Sequence, residues 1–198
     1  PEGSSVCFVT PAESHPYVTP FNDAVRAGAE AEGVDLTVLS SEFDVQTSAE
    51  QLNQCISQAP AVIILWPLDP SAYIPGLTRA EQAGIPVVQV NSPMDEEASA
   101  LVATFTGPDT YSQGETSAEA IAAALPDGGK MVVLAGQAGN GTTIGRGDGF
   151  TEALGPDFEI LETVNADFDQ QAALTASRDL ITRFGEEIDG VYAHDDNM

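Results

Sequence analysis

Residues 61–66 (AVIILW) form an apolar run with no polar position in it. A strand with one solvated face alternates apolar and polar side chains, so an unbroken run of this length belongs to a strand covered on both faces. Two more runs have the same character, VCFV at 6–9 and MVVLAG at 131–136, and IPVVQV at 85–90 departs from it only at Gln89. Each is separated from the next by a stretch with helical spacing. Between the first two strands, Val18, Phe21 and Val25 mark a helical stripe over 17–32, and Gly33 ends it. Strands alternating with helices predict parallel sheets in an α/β fold.

The remaining elements are expected to continue that order. VDLTVL at 34–39 is the second strand, and Ser48 with Gln51 reads as a capping box for the next helix, which carries Leu52, Cys55 and Ile56. A helix over 72–83 precedes the 85–90 strand. Residues 101–105 are a short strand taken as the crossing to a second lobe. There the pattern restarts, with a helix at 111–124, the 131–136 strand, a glycine-rich loop, a helix opening near Thr143, a strand at 159–164, a further helix and a strand at 190–193. The expected organisation is two α/β lobes, residues 1–104 and 105–198. Open parallel sheets bind ligands at the carboxyl ends of their strands. The loops after Val9, Trp66, Val90, Gly136, Val164 and Ala193 are therefore where function is sought.

Charge narrows the function classes. The chain has 31 acidic residues against 6 Lys plus Arg, a formal net charge of −25. Nucleic acid is excluded as a partner on that balance, and no apolar run approaches the length of a membrane span. The acids are spread along the chain, as in a solvated surface suited to high ionic strength. Cys7 falls in a strand and Cys55 in a helix. Two buried small apolar side chains is the first expectation; a disulfide is the alternative, stabilising by about 4 kcal/mol and requiring an oxidising compartment.

Motifs for chemistry do not complete themselves. The loop GQAGNGTT at 136–143 follows a strand and precedes a helix, but Thr142 stands where a phosphate-binding loop needs lysine, and no dinucleotide glycine pattern occurs within it. The only histidines, His15 and His194, fall in loops after strands, and no nucleophile elbow accompanies them. They read as ligand hydrogen-bonders or exposed loop positions rather than bases. HDDN at 194–197 lacks a second set of metal ligands. No cofactor, no metal and no catalytic residue is expected.

Strand-end aromatics are more informative. Tyr17, Trp66 and Phe168 fall in those loops, as do Asn91 and Asp195, and Arg146 opens toward the same edge. Flat apolar faces beside side chains that donate and accept suit a sugar ring, whose C–H faces stack and whose hydroxyls do both.

These segments resemble periplasmic monosaccharide-binding proteins of the ribose-binding type, from about residue 6 to 198. SHPY at 14–17 is similar to the family's N-P-[FY] signature, and NSPMD from Asn91 stands where the family has an acid followed by arginine. GQAGNGTTIGRGDGF at 136–150 resembles G-x-x-G…R-x-x-G-F. NADFD at 165–169 resembles the segment bearing an aromatic stacker, and AHDDNM at 193–198 resembles A-x-N-D-x-M. The resemblance implies a type I periplasmic-binding-protein architecture, two Rossmann-like lobes with parallel sheets, with the C-terminal part missing. It implies that Tyr17 and Phe168 sandwich the ring while His15, Asn91, Arg146 and Asp195 bond its hydroxyls, Arg146 being the central clamp. Ser92, a further expected ligand contact, stands in place of a second arginine, and His15 and Asp195 replace asparagines, so the sugar need not be ribose. Trp66 either extends the stacking surface or packs beneath the cleft.

The function so implied is capture of a small sugar-like ligand between the lobes, with hinge closure and delivery to an ABC permease. The protein would be a monomer located outside the cytoplasm, periplasmic or lipid-anchored, and not an enzyme. The alternative is the sensing core of a transcriptional regulator or chemoreceptor. A basic helix-turn-helix ahead of the first strand would mark the regulator, and only five residues precede that strand here.

Overall fold

The computed structural model describes residues 3–198. They divide into two compact units, the first running to Pro108 and the second spanning Asp109–Met198.

The first unit is one parallel sheet with strand order β2-β1-β3-β4-β5. Its strands are β1 (Ser5–Thr10), β2 (Asp35–Ser40), β3 (Val62–Leu65), β4 (Val87–Val90) and β5 (Thr104–Thr106), and its helices are α1 (Val18–Ala31), α2 (Val45–Ser57), α3 (Ile74–Gln82) and the single turn α4 (Glu96–Ser99). Successive side chains of a strand point to opposite faces, and β1 serves both. Cys7 and Val9 join Leu52, Cys55, Ile63, Leu65, Tyr73 and Leu77 on one side. Phe8 joins Val18, Trp66 and Val90 on the other, with Phe21 and Val25 of α1 against them. Burying each large apolar side chain contributes about 1.5–3 kcal/mol, which is why the unbroken runs become central strands.

Three expectations need correction here. Residues 101–105 are not simply a crossing: Val88, Gln89 and Val90 pair in parallel with Thr104, Phe105 and Thr106, making β5 the fifth strand of the first sheet. The cap of α2 is Asp44, whose carboxylate accepts from the Thr47 amide at 2.6 Å. Ser48 lies one turn inside the helix and is buried, accepting from the Tyr73 hydroxyl at 2.9 Å, while Gln51 donates to the Ser40 carbonyl at 2.6 Å. Third, Cys7 and Cys55 are bonded as a disulfide that ties β1 to α2. Both are buried, as first expected, but they are paired, because strand and helix bring their Cα atoms to 5.7 Å.

The second unit is a parallel sheet of order β7-β6-β8. It contains α5 (Thr110–Ala124), β6 (Gly129–Ala135), α6 (Gly141–Ala153), β7 (Phe158–Asn165), α7 (Gln170–Phe184) and β8 (Gly190–Ala193). Met131 and Val133 of β6 pack with Ala118, Phe150 and Tyr192; Val132 and Leu134 pack on the opposite face with Ala166, Ala173 and Leu180. Helices α5 and α6 approach to backbone contact. A Cβ on Gly149 would lie 2.1 Å from the Tyr111 carbonyl oxygen, and one on Gly114 would lie 2.3 Å from that of Arg146. Only glycine permits that distance, and it fixes where α6 carries Arg146.

Candidate functional site

In the first unit the strand-end residues form one connected group. Asn22 of α1, fully buried, donates to the Ala12 carbonyl at 2.8 Å and accepts from Thr10 Oγ1 at 2.8 Å, pinning the loop after β1. That loop carries His15, whose Nδ1 accepts from the Tyr17 amide at 3.3 Å and whose ring meets Phe43 edge-on at 5.3 Å. Tyr17 is half-exposed, and its hydroxyl donates to Asn91 Oδ1 at 2.8 Å. Asn91 follows β4 with φ 63°, a left-handed conformation that asparagine tolerates better than other side chains. Its amide is held by the Thr106 carbonyl at 2.9 Å.

Beneath Tyr17 lies Trp66. Its ring stands perpendicular to Tyr17 at 5.9 Å and edge-on to Phe21 at 5.0 Å, an arrangement aromatic quadrupoles favour. Trp66 is 4% exposed and Ser92 3% exposed, and the indole N–H donates to Ser92 Oγ at 3.2 Å. Their burial makes Trp66 and Ser92 the floor on which Tyr17 and Asn91 stand: of the two roles expected for Trp66 this is the packing one, and Ser92 supports the expected ligand contacts from below.

In the second unit Arg146 projects from α6. Its Nε donates to Gln113 Oε1 at 2.9 Å and its Nη1 to the His194 carbonyl, so two neighbouring elements orient the guanidinium and its Nη2 keeps no partner among the described residues. An open pocket of about 420 Å³ is lined here by Gln113, Arg146, Tyr192, Asp195 and their neighbours.

Phe168 sits in the loop after β7, where Asp167 and Phe168 both have positive φ, 55° and 60°. Non-glycine residues in that region carry strain that surrounding contacts must hold. Two contacts do so: Asn197 Nδ2 donates to the Phe168 carbonyl at 3.1 Å, and the Phe168 ring lies so close to Gly136 that a Cβ there would be 2.0 Å from it. Asn165 secures Gly136 from the other side, donating to its carbonyl at 2.7 Å. Asp195 Oδ1 accepts from the amides of Asn197 and Met198, each at 3.0 Å. The carboxylate therefore shapes the turn that delivers Asn197 to Phe168.

His194 corrects the expectation of an exposed loop position, being 4% exposed. Its Nδ1 accepts from the Gly136 amide at 3.4 Å. Burial, and then the charge of Arg146, push its pKa down to about 4. Among the described residues, no group of three or more His, Cys, Asp or Glu is placed to hold a metal ion.

Sequence reasoning named Arg146, Phe168, Asn91 and Tyr17 but missed their supports, Gln113, Gly136, Asn165 and Asn197. Gly136 was visible as the first residue of the glycine-rich loop. The three amide side chains carry no local signal, since their partners are 29 or 33 residues distant.

Comparison with known proteins supplies the family. The periplasmic binding protein domain matches residues 6–198. A xylitol-binding protein of Mycolicibacterium smegmatis is 29% identical over 192 residues, covering 96% of this chain and 54% of its own length. A ribose import binding protein of Bacillus subtilis is 25% identical over 185 residues, covering 93% and 59%. The chain thus spans between half and two thirds of these relatives. Among solved structures, an ABC transporter solute binding protein from Mycobacterium smegmatis with bound glycerol superposes with a TM-score of 0.89 at 31% identity, covering 99% of this chain and 67% of that one. A galactofuranose binding protein gives a TM-score of 0.93 at 22% identity, covering 98% and 67%, a likeness of fold. With its two parallel α/β units and a family match over nearly its whole length, the chain belongs to the periplasmic binding protein domain family.

Proposed function

We propose that this chain binds a small sugar or sugar-like ligand with its strand-end residues, and that the whole protein delivers the ligand to an ABC permease without transforming it. The observation that carries this is the Arg146 guanidinium, oriented by Gln113 and the His194 carbonyl with one edge uncommitted. A planar fork held this way can serve two adjacent hydroxyls or a ring oxygen, and Phe168, tied to the same chain segment through Asn197, offers a flat apolar face. On the first unit Tyr17 and Asn91 supply a second aromatic face and an amide, with His15 beside them. Asp195 completes the set with the carboxylate oxygen its turn leaves over. The names of the relatives, a xylitol-binding and a ribose import protein, agree with this ligand class. Work outside the cytoplasm, as a monomer, follows from the same reading, and the Cys7–Cys55 bond suits an oxidising compartment.

The test is thermal melting of ligand-stripped protein against D-ribose, xylitol, D-fructose, L-arabinose and D-galactose. A ligand at a hundred times its dissociation constant stabilises by about 2.7 kcal/mol, which raises the melting temperature by roughly 5–10 °C. A selective shift of that size is expected; no shift from any member, in protein shown to be folded and empty, overturns the proposal.

A further inference from the structure

His194 serves two parts of the second unit's strand-end set at once. Its main-chain carbonyl accepts from Arg146, while its ring accepts the Gly136 amide. Gly136 in turn lies against the Phe168 ring and is held by Asn165. One residue therefore joins the guanidinium to the aromatic face.

We infer that His194 is a positioning residue for ligand binding, holding Arg146 through its carbonyl and the Gly136–Phe168 contact through a neutral ring, so that protonation of the ring weakens binding in acid. This rests on the sugar-binding function proposed above.

With Nδ1 accepting, the ring proton sits on Nε2, which is buried and has no hydrogen-bond partner among the described residues. An unpaired buried N–H is uncommon and costly, and the ring tolerates it only as the neutral form. A second proton would make Nδ1 a donor facing the Gly136 N–H and would place a new cation beside Arg146. The charged and titratable groups lining the two pockets that His194 also lines are Arg146, Asp148 and Glu152 of α6, Asp109 ahead of α5, Tyr192 of β8, and Asp195 and Asp196 after it. Only one of these is a cation. Burial and Arg146 together hold the pKa near 4, so the ring stays neutral above about pH 5 and titrates below it.

The experiment follows the ring resonances of His194 and the amide resonance of Gly136 by NMR from pH 7 to pH 3.5, in the wild type and in His194→Gln. The glutamine keeps the main-chain carbonyl and offers an amide oxygen that accepts but does not titrate. Binding of D-ribose and xylitol is measured over the same range. The Gly136 amide is expected to follow the ring with a midpoint near pH 4. Affinity is expected to fall about fourfold more in the wild type than in His194→Gln between pH 6 and pH 3.5, the protonated fraction of a group of that pKa setting the ratio. A Gly136 amide that ignores the ring, or parallel affinity profiles in the two proteins, overturns the inference. Should neither sugar bind at pH 7, the sugar-binding proposal fails, and the Gly136 response still decides whether His194 holds that contact. If the glutamine variant does not fold, the wild-type titration alone decides it.

Discussion

The Tyr17 hydroxyl donates to Asn91 Oδ1 at 2.8 Å, joining the loop after β1 to the residue after β4 across 74 positions of chain. The bond orients an aromatic face that is half-exposed and would otherwise turn about its side-chain bonds. Tyr17→Phe keeps the ring and loses the bond, so the melting temperature should fall by roughly 1–6 °C, in line with about 0.5–1.5 kcal/mol for a hydrogen bond, and sugar affinity should fall with it as the ring loses its fixed orientation. Asn91→Ala should melt lower than Asn91→Gly, because the left-handed backbone at 91 penalises a β-carbon by about 1–2 kcal/mol. Equal melting of the two variants would contradict that account.

Gly136 and Gly149 make opposite demands on a new methyl group. At Gly136 its nearest neighbours would be atoms of the Phe168 ring, a side chain able to swing away, so Gly136→Ala should cost affinity as Phe168→Ala does and little stability. At Gly149 it would meet the Tyr111 main chain. Overpacking of that kind costs about 1–3 kcal/mol, so Gly149→Ala should destabilise the second unit measurably in urea. A Gly149→Ala variant as stable as wild type would show that α5 and α6 are not in backbone contact.

The Cys7–Cys55 bond closes a loop with a sequence separation of 48. Loop entropy puts its contribution at about 4 kcal/mol. A double Cys7→Ala, Cys55→Ala variant should therefore melt roughly 10 °C or more below the wild type. Both sulfurs are buried, so reductant alone should act slowly on the native protein. Unchanged melting of the double variant would mean the bond contributes nothing.

Stability should decline in mild acid, before the carboxylates protonate. His194 has its pKa lowered from 6.5 to about 4 in the folded chain, so below pH 6.5 the unfolded chain takes up a proton that the native state refuses. Full stability from this group is present above pH 6.5 and is lost as pH falls toward 4, by about 3 kcal/mol in all. The helix caps Asp44 and Asp109 also have lowered values, through their bonds to Thr47 and Ser112; their contribution goes only below the ordinary carboxylate range. Urea unfolding of wild type and His194→Gln at pH 7 and pH 4.5 should show the larger loss in wild type. Parallel losses would contradict the assignment.

The strands were legible in the sequence because an unbroken apolar run has one stable environment, between two layers of helix. Residues 61–66 and 131–136 state that without help from the rest of the chain. The start of α2 was misread because Ser48 and Gln51 satisfy a local pattern that Asp44, one turn earlier, satisfies better once Thr47 turns toward it. Trp66 lies at a strand end, yet it is turned to the layer beneath by Phe21 and Tyr17, which come from distant sequence, and Ser92 is held there by the Trp66 indole. The cysteines carried no local sign of pairing. Arg146 and Phe168 were visible as residue types at strand ends, but what orients them comes from Gln113, Asn197 and the backbone at 194, contacts that exist only after folding.

The central claim is that Arg146 and Phe168 hold a sugar, and the direct measurement is calorimetric titration of D-ribose and xylitol into wild type, Arg146→Ala and Phe168→Ala at pH 7. Losing a hydrogen bond to a charged group costs about 1.5–3 kcal/mol, so one sugar should bind the wild type with a saturable heat and Arg146→Ala at least tenfold more weakly, with a comparable loss in Phe168→Ala. Saturable binding that is equally strong in all three proteins would contradict the account.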